Sequence, residues 1–445
     1  MKKILILGAG LSTISLIDYL LKNAEENQWQ ITLGDIDVEL ARKKVNGSPF
    51  GKAIVFDIND EQFARNTINE HDVVISMLPA FMHMKVVEKC IEYKKPMLTA
   101  SYATPEIKEL HEKAQEAGIP ILMELGVDPG IDHMSAMNVI NRIRKEGGEL
   151  QSFYSFTGGL VAPESDNNPW NYKFTWNPRN VVLAGNGVSK FINKGRYKYI
   201  PYHRLFDRVL TRKILNYGNF EVYANRDSLA YRSIYNLQDI PSMYRGTIRR
   251  PGFSKAWNVF VRLGATEDNY VIEDSENMTY RQFINSFLRY DPDMPVEIKL
   301  KDYCVNSCDP DVYRKLEWLG IFDNRKIGLK KASPAQILQK LLLEKWAMDT
   351  HDRDMLIMQH EFKYEVDGVE KMVVSAMAFE GENQEKTAMA ITVGLPLAIT
   401  TKLLLQGKIN KTGVILPIHE EIYEPVLEEL KTFGISFEEK EYMMG

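Results

Sequence analysis

The order of elements in the first 35 residues constrains this chain most. "KKILILGAGLSTISLIDYLL" opens with an uninterrupted apolar run, Ile4 to Leu7, which suits a strand buried on both faces of a parallel sheet. A Gly8-Ala9-Gly10 turn follows, and then Ile14, Ile17, Leu20 and Leu21 recur at helical spacing. Strand, Gly-x-Gly turn and amphipathic helix, in that order, is what a dinucleotide site requires. Gly8 permits the tight turn, and Gly10 lets the backbone approach a pyrophosphate that a Cβ would hold off. The helix start adds N–H groups and the positive end of a dipole. Leu11, Ser12 and Thr13 complete the turn. Thr13 stands where the fingerprint has its third glycine, and its hydroxyl is placed either to bond phosphate or to cap the helix.

The pattern continues. Strands are expected in 29–37, 51–60, 71–79, 95–102 and 118–126, with helices in 38–45, 60–70, 81–94 and 104–117 between them. Six strands alternating with helices predict a doubly wound parallel sheet of the Rossmann type. Asp35, at the end of the second strand, is placed to accept bonds from the ribose hydroxyls of NAD and, with Asp37 and beside Ile36, to repel a 2′-phosphate. Asp57, ending the third strand, bonds the adenine or caps the helix after it. Ligands of such sheets lie beyond the carboxyl ends of the strands. Leu78 and Pro79 are therefore expected against the nicotinamide ring, and Tyr102 and Asp128 facing the group that exchanges the hydride. "MELGVDPGIDHM" (123–134) then reads as the last strand bending into the active site.

From about residue 127 the pattern changes. Aromatic and β-branched segments at 151–160, 219–228, 243–253, 257–264, 359–366 and 370–381 predict strands, mostly antiparallel. Helical segments at 279–290, 310–322 and 333–348 interrupt them, the last with Ser333 and Pro334 as N-cap and N1. The expected organisation is a dinucleotide domain of residues 1–126 plus about 385–445, and a mixed α/β substrate domain of 127–384 with a small helical insertion near 270–355. The polar, aromatic-studded stretch 155–182 is long enough to be a functional loop, or a structural loop pinned by its aromatics. The apolar stretch 388–405 carries Pro396, Lys402 and three threonines, which suits a buried helix better than a membrane span.

Composition narrows the partners. A net charge of −5 gives no bulk attraction to nucleic acid or anionic lipid, so any anionic ligand must be held by local arginines. Three cysteines, Cys90, Cys304 and Cys308, fit a reduced, cytoplasmic setting. Cys304 and Cys308 form C-x3-C without a second ligand pair nearby, and no metal site is expected.

The segments "GAGLST", "DVVISMLPAFMH", "TASYATPEI", "MELGVDPGIDHM", "TGGLVAPESDNNPWNYKFTW", "NRDS", "RGTIRRPGF" and "AITVGLP" together resemble the L-glutamate-forming saccharopine dehydrogenase (saccharopine reductase) family, in family order over nearly the whole chain. The resemblance implies a Rossmann domain closed by the C-terminal segment, a saccharopine-binding domain and a helical insertion. It implies oxidation of saccharopine at its secondary amine and hydrolysis of the imine to L-glutamate and 2-aminoadipate 6-semialdehyde, or the reverse. The family's active-site positions fall on Tyr102 and Asp128, and a third, often cysteine, falls on Thr157, next to Gly158. Asp128 then orients the substrate's ammonium group, since an Asp beside a cation is a weak base at neutrality; an Asp-Pro-Gly turn without catalytic duty is the other reading. His133 is the natural base by pKa, or else is bonded inside the protein. The substrate's carboxylates call for guanidinium partners: Arg226 matches the family's substrate arginine, Arg245 is a second candidate and Arg179 a weaker one.

The coenzyme is NAD or NADP. Asp35-Ile36-Asp37 points to NAD, whereas many family members use NADP. Two other readings remain at this stage: a reductive-amination enzyme of the carboxynorspermidine dehydrogenase type, and a non-catalytic nucleotide-binding sensor. A length of 445 residues argues against a fused bifunctional enzyme. The expected partner is a small-molecule substrate, with no nucleic acid, no membrane and a possible homodimer.

Overall fold

The computed structural model describes residues 1–304 and 309–444, and these divide into two compact units. The first is Met1–Gly147 with Glu385–Phe437; the second is Gly148–Gln384 with Glu438–Gly445. In chain order the strands are β1 (Lys2–Leu7), β2 (Trp29–Asp35), β3 (Gly51–Val55), β4 (Val73–Ser76), β5 (Met97–Leu98), β6 (Pro120–Leu122), β7 (Glu149–Val161) and β8 (Val188–Asn193). They continue as β9 (Arg196–Pro201), β10 (Val209–Lys213), β11 (Asn219–Ala224), β12 (Ser242–Arg249), β13 (Asp354–Val366), β14 (Val369–Glu380), β15 (Gly413–Ile415) and β16 (Glu438–Met443).

The first unit holds a seven-stranded sheet in the order β15-β6-β5-β4-β1-β2-β3. Every pairing in it is parallel. All six strands read from the sequence are present; the seventh, β15, is three residues long and was not expected. Register brings Leu7, Gly34 and Ser76 level, and Leu98 level with Leu122, so the carboxyl ends of β1, β2, β4, β5 and β6 form one edge. β1 is apolar throughout its buried part because helices cover both faces of such a sheet. The helix Ala388–Leu405 packs on the helix Ile14–Lys22. It is long and apolar enough to cross a membrane, yet 72% of it is buried inside the fold.

The second unit holds a nine-stranded sheet in the order β10-β11-β12-β7-β13-β14-β16, with β8 pairing β12 and β9. It is antiparallel except that β12 runs parallel to β7. The segment 257–264, expected as a strand, lies in the helix Phe253–Leu263. The helix is buried almost throughout, with only Lys255 and Arg262 exposed, seven residues apart on one face, and this packing outweighs the β propensity of the residue types. Glycines with φ of 85° at positions 252 and 264 bound it. Within the helical insertion Tyr280–Ser286, Pro310–Trp318 and Pro334–Lys345 form as expected, and Val296–Tyr303 is a further helix. Ser333 and Gln336 make a full capping box on the third of these. The chain's last strand, expected with the dinucleotide domain, pairs with β14 instead. Cys308 lies outside the described residues.

Candidate functional site

In the first unit the turn after β1 is built as a phosphate-binding turn needs. Gly8 has φ of +100°, and a Cβ on it would stand 2.8 Å from the Met77 carbonyl oxygen, so only glycine fits. Gly10 is the opposite case: a Cβ there meets nothing within 4 Å. Its surface is open, which is the space a ligand approaching the backbone requires. Among the described residues no carbonyl takes the N–H groups of Gly10, Leu11 and Ser12. Leu11 and Ile36 leave 83% and 70% of their surface exposed at this edge, apolar area suited to the flat faces of a coenzyme. The turn and its surroundings fit a dinucleotide.

Asp35 is already part of this turn. Its Oδ2 accepts the Ala9 N–H at 2.6 Å and its Oδ1 the Asp37 N–H at 2.9 Å. Asp37 caps the following helix, accepting from Glu39 and Leu40. Thr13 is buried; its hydroxyl donates to the Gly10 carbonyl at 2.7 Å, so it serves the turn itself rather than either role expected of it. Asp57 does not cap the helix Glu61–Asn69; Asp60 does, through the Phe63 N–H, while Asp57 accepts from Asn59 in an Asx turn.

The segments after β4, β5 and β6 are tied together. Leu78 is half-buried and Pro79 exposed beyond β4. His83, unassigned from the sequence, bridges two of these segments: Nδ1 lies 2.9 Å from Ser76 Oγ and Nε2 2.7 Å from Ser101 Oγ. Burial pushes its pKa down to about 4, so it is neutral at physiological pH. Tyr102 donates its phenol hydrogen to Asp128 Oδ1 at 3.2 Å, which brings two expected active-site residues into contact. Tyr102 is 44% exposed and Asp128 half-buried.

The "GVDPGIDH" segment owes its shape to close backbone packing. Gly126 N–H donates to the Pro129 carbonyl and Ile131 N–H to the Gly126 carbonyl, both at 2.9 Å. Gly130, with φ of +147°, could not carry a Cβ, which would lie 2.0 Å from the Gly126 oxygen. Asp132, buried, accepts from the Gly130 and His133 N–H groups at 2.6 and 2.8 Å. His133 is fully buried on the helix Ile131–Lys145, and its Nε2 lies 2.7 Å from Glu124 Oε2. Of the two alternatives for His133, the structure shows the internal bond. Glu124 Oε1 also accepts the Ala103 N–H at 3.0 Å. Burial pushes the Glu124 carboxyl up, but the His133 bond and charge and the Ala103 N–H outweigh it and hold the group below its usual range.

In the second unit, β11 and β12 place the arginines. Arg226 follows β11, exposed, with φ of +43°. Arg245 lies on β12, buried, its guanidinium 3.9 Å from the centre of the Tyr231 ring. The Asn225 N–H donates to the Arg245 carbonyl at 2.9 Å, so Arg226 is one residue beyond the backbone partner of Arg245. Arg179 is instead paired with Asp268 at the surface. Thr157 lies on β7, level with Thr247 and Met358. Gly158 is buried, and a Cβ would stand 2.7 Å from the Ile248 oxygen, a structural reason for glycine there. The aromatics of 155–182 pin that stretch: Trp170 and Tyr172 are fully buried and Phe174 nearly so.

Two family models match the chain: the saccharopine dehydrogenase NADP binding domain over residues 4–122 and the saccharopine dehydrogenase C-terminal domain over residues 126–435. The chain is 32% identical over 449 residues to the NADP(+)-dependent, L-glutamate-forming saccharopine dehydrogenase of Schizosaccharomyces pombe, covering 99% of each. It is 33% identical to the alpha-aminoadipic semialdehyde synthase of Arabidopsis thaliana, over 98% of this chain and 44% of that one. Among solved structures, apo saccharopine dehydrogenase (L-Glu forming) from Saccharomyces cerevisiae superposes with a TM-score of 0.91 at 30% identity, covering 99% of this chain and 100% of that one.

Proposed function

The chain belongs to the saccharopine dehydrogenase family, and from that premise we propose that it is an L-glutamate-forming saccharopine dehydrogenase using NAD. The reaction oxidises saccharopine at the secondary amine and hydrolyses the imine to L-glutamate and 2-aminoadipate 6-semialdehyde, or runs in reverse. The observation that carries this reading is that one strand edge bears both the open Gly8–Gly10 turn and the Tyr102–Asp128 pair. Full-length similarity to saccharopine dehydrogenases favours it over a carboxynorspermidine-type enzyme or a non-catalytic sensor.

A nicotinamide dinucleotide, when bound, supplies the hydride acceptor. Gly8, Gly10, Leu11, Ser12 and Asp35 would hold it, and Leu78 and Pro79 would line the ring's side. Asp128 holds the substrate's ammonium group, and Tyr102, through its bond to Asp128, fixes the carboxylate's direction. Hydrolysis of the imine moves protons between water and the departing amine; the Tyr102–Asp128 pair orients the substrate and that water, and His133 takes no direct part. Arg226 and Arg245 take substrate carboxylates as guanidinium forks.

NAD is favoured over NADP by charge. Asp35 retains lone pairs for ribose hydroxyls after accepting two backbone N–H groups. A 2′-phosphate there would meet Asp35 and Asp37. Arg42 and Lys43 nearby are already paired with Glu39 and Glu385.

The test is to mix purified protein with saccharopine and NAD+ or NADP+ and follow reduced coenzyme and glutamate. Turnover with saccharopine is expected, with kcat/KM at least about tenfold higher for NAD+ and that ratio reduced in Asp35→Ala. Turnover of a different secondary amine but not saccharopine would overturn the substrate; a strong NADP preference would overturn the coenzyme.

A further inference from the structure

Lys44 reaches back from the last turn of the helix Val38–Val45 to the coenzyme turn. Its ammonium donates to the Gly10 carbonyl and to Thr13 Oγ1, the latter at 2.8 Å. The Gly10 oxygen also accepts from the Thr13 hydroxyl at 2.7 Å and the Thr13 N–H at 3.2 Å. On the other side Asp35 holds the Ala9 N–H. The turn is therefore stapled from both flanks, its carbonyl drawn toward Lys44.

The charge itself is unusual. Lys44 is half-buried, and among the described residues no carboxylate lies within ion-pair distance of it. The acids that face it do so from farther off: Asp35 at the end of β2, Asp18 on the helix Ile14–Lys22, and Glu385, with Lys43 opposing them. Asp18 is committed to Lys386 and Glu385 to Lys43, at 2.9 and 3.3 Å. An ammonium has three N–H donors, and the turn uses two.

We propose that Lys44 is a positioning residue of the coenzyme site, pinning the Gly10 carbonyl away from the ligand and setting a positive charge behind the turn that a dinucleotide pyrophosphate approaches. The inference rests on the nicotinamide-dinucleotide reading and is independent of the choice between NAD and NADP, since both carry the pyrophosphate. It differs from the fingerprint's usual device, in which N–H groups and the helix dipole alone meet the anion. Burial has lowered the Lys44 pKa to about 8, so its charge is complete below that pH and is lost as pH rises through it. Coenzyme affinity should follow.

The experiment is a titration of the full chain with NADH, read by fluorescence, across neutral to alkaline pH for wild type, Lys44→Met and Lys44→Arg, each checked by thermal melting without coenzyme. Wild type is expected to bind about tenfold more weakly above this pKa than below it. Lys44→Met should be about tenfold weaker at neutral pH and insensitive to this pH change, and Lys44→Arg should restore affinity without the pH dependence. A purely structural lysine would lower affinity in Lys44→Met yet leave the wild-type slope in place, and that result overturns the inference. So does Lys44→Met binding NADH as wild type does. Failure of the wild type to bind NADH or NADPH at any pH would overturn the coenzyme reading itself, and the role of Lys44 with it.

Discussion

Replacing Glu124 with leucine tests whether its pair with His133 holds the strand-end segments in place. Leucine approximates the glutamate's bulk but accepts no hydrogen bond. His133 Nε2 and the Ala103 N–H both lose that partner where water does not reach, His133 being 0% and Ala103 7% exposed. Each loss costs about 1–3 kcal/mol. Burying the leucine offsets about 1.5–3 kcal/mol of this. The net cost is about 2 kcal/mol, which for a unit of this size lowers its melting transition by about 4–8 °C. Calorimetry at neutral pH reads it. Because the folded pKa of Glu124 is depressed, its contribution is complete above the ordinary carboxylate range and lost as pH falls through the folded value, so wild type and variant should converge in acid. Glu124→Gln, which keeps an acceptor for Ala103, should lose less. The Ala103 bond adjoins Tyr102, so kcat should fall in Glu124→Leu while NADH affinity, set at the Gly8–Gly10 turn, stays constant. If Glu124→Leu melts with the wild type at neutral pH and retains full kcat, the pair holds nothing.

The neutral His83 makes the first unit acid-sensitive. With a folded pKa of about 4 against an unfolded value of about 6.5, protons favour the unfolded chain below the latter, and stability should fall by about 3 kcal/mol between those two values; pH-dependent melting of His83→Gln should lack that component. Arg226→Met should raise the KM for saccharopine about tenfold or more with NADH affinity unchanged, measured by steady-state kinetics and fluorescence titration.

The dinucleotide half was legible because a parallel sheet writes itself into the chain. Strands buried on both faces give apolar runs, and the crossover helices give the 3.6-residue period between them. β15 escaped for the same reason in reverse: three residues between two helices leave no period to read. In the second unit, residues 257–264 read as a strand because tryptophan, phenylalanine and valine favour strands, whereas the helix Phe253–Leu263 exposes only Lys255 and Arg262, too few positions to show a helical period. β16, with all six residues exposed, shows no burial alternation at all, and only its partner β14 reveals it as a strand.

At the site, the sequence gives residue types and misses the links among them. Tyr102 and Asp128 were readable as motif residues, but their mutual bond joins positions 26 apart. His83 and Glu124 act by crosslinking separate strand ends, a contact no local pattern encodes. Lys44 had a faint signal, lying three residues after buried Ala41 and one before buried Val45, hence at the margin of the helix face that meets the sheet.

Asp35 shows how a functional reading of one residue can misstate the consequence of a substitution. Read as the ribose acceptor, it suggests that removing it simply admits a 2′-phosphate. In the structure the same carboxylate anchors the Ala9 N–H at 2.6 Å, so Asp35→Ala removes a repulsive charge and a support of the turn together. Its affinity for both coenzymes should therefore fall even as their ratio moves toward NADP. Asp35→Asn separates the effects: an amide oxygen can still accept from Ala9, and the charge is gone. It should shift the ratio about as far as alanine does while retaining more absolute affinity, and titration with NADH and NADPH measures both. If Asp35→Asn and Asp35→Ala bind each coenzyme equally well, the bond to Ala9 does not shape the turn, and the staple of the turn by Asp35 and Lys44 loses one of its two sides.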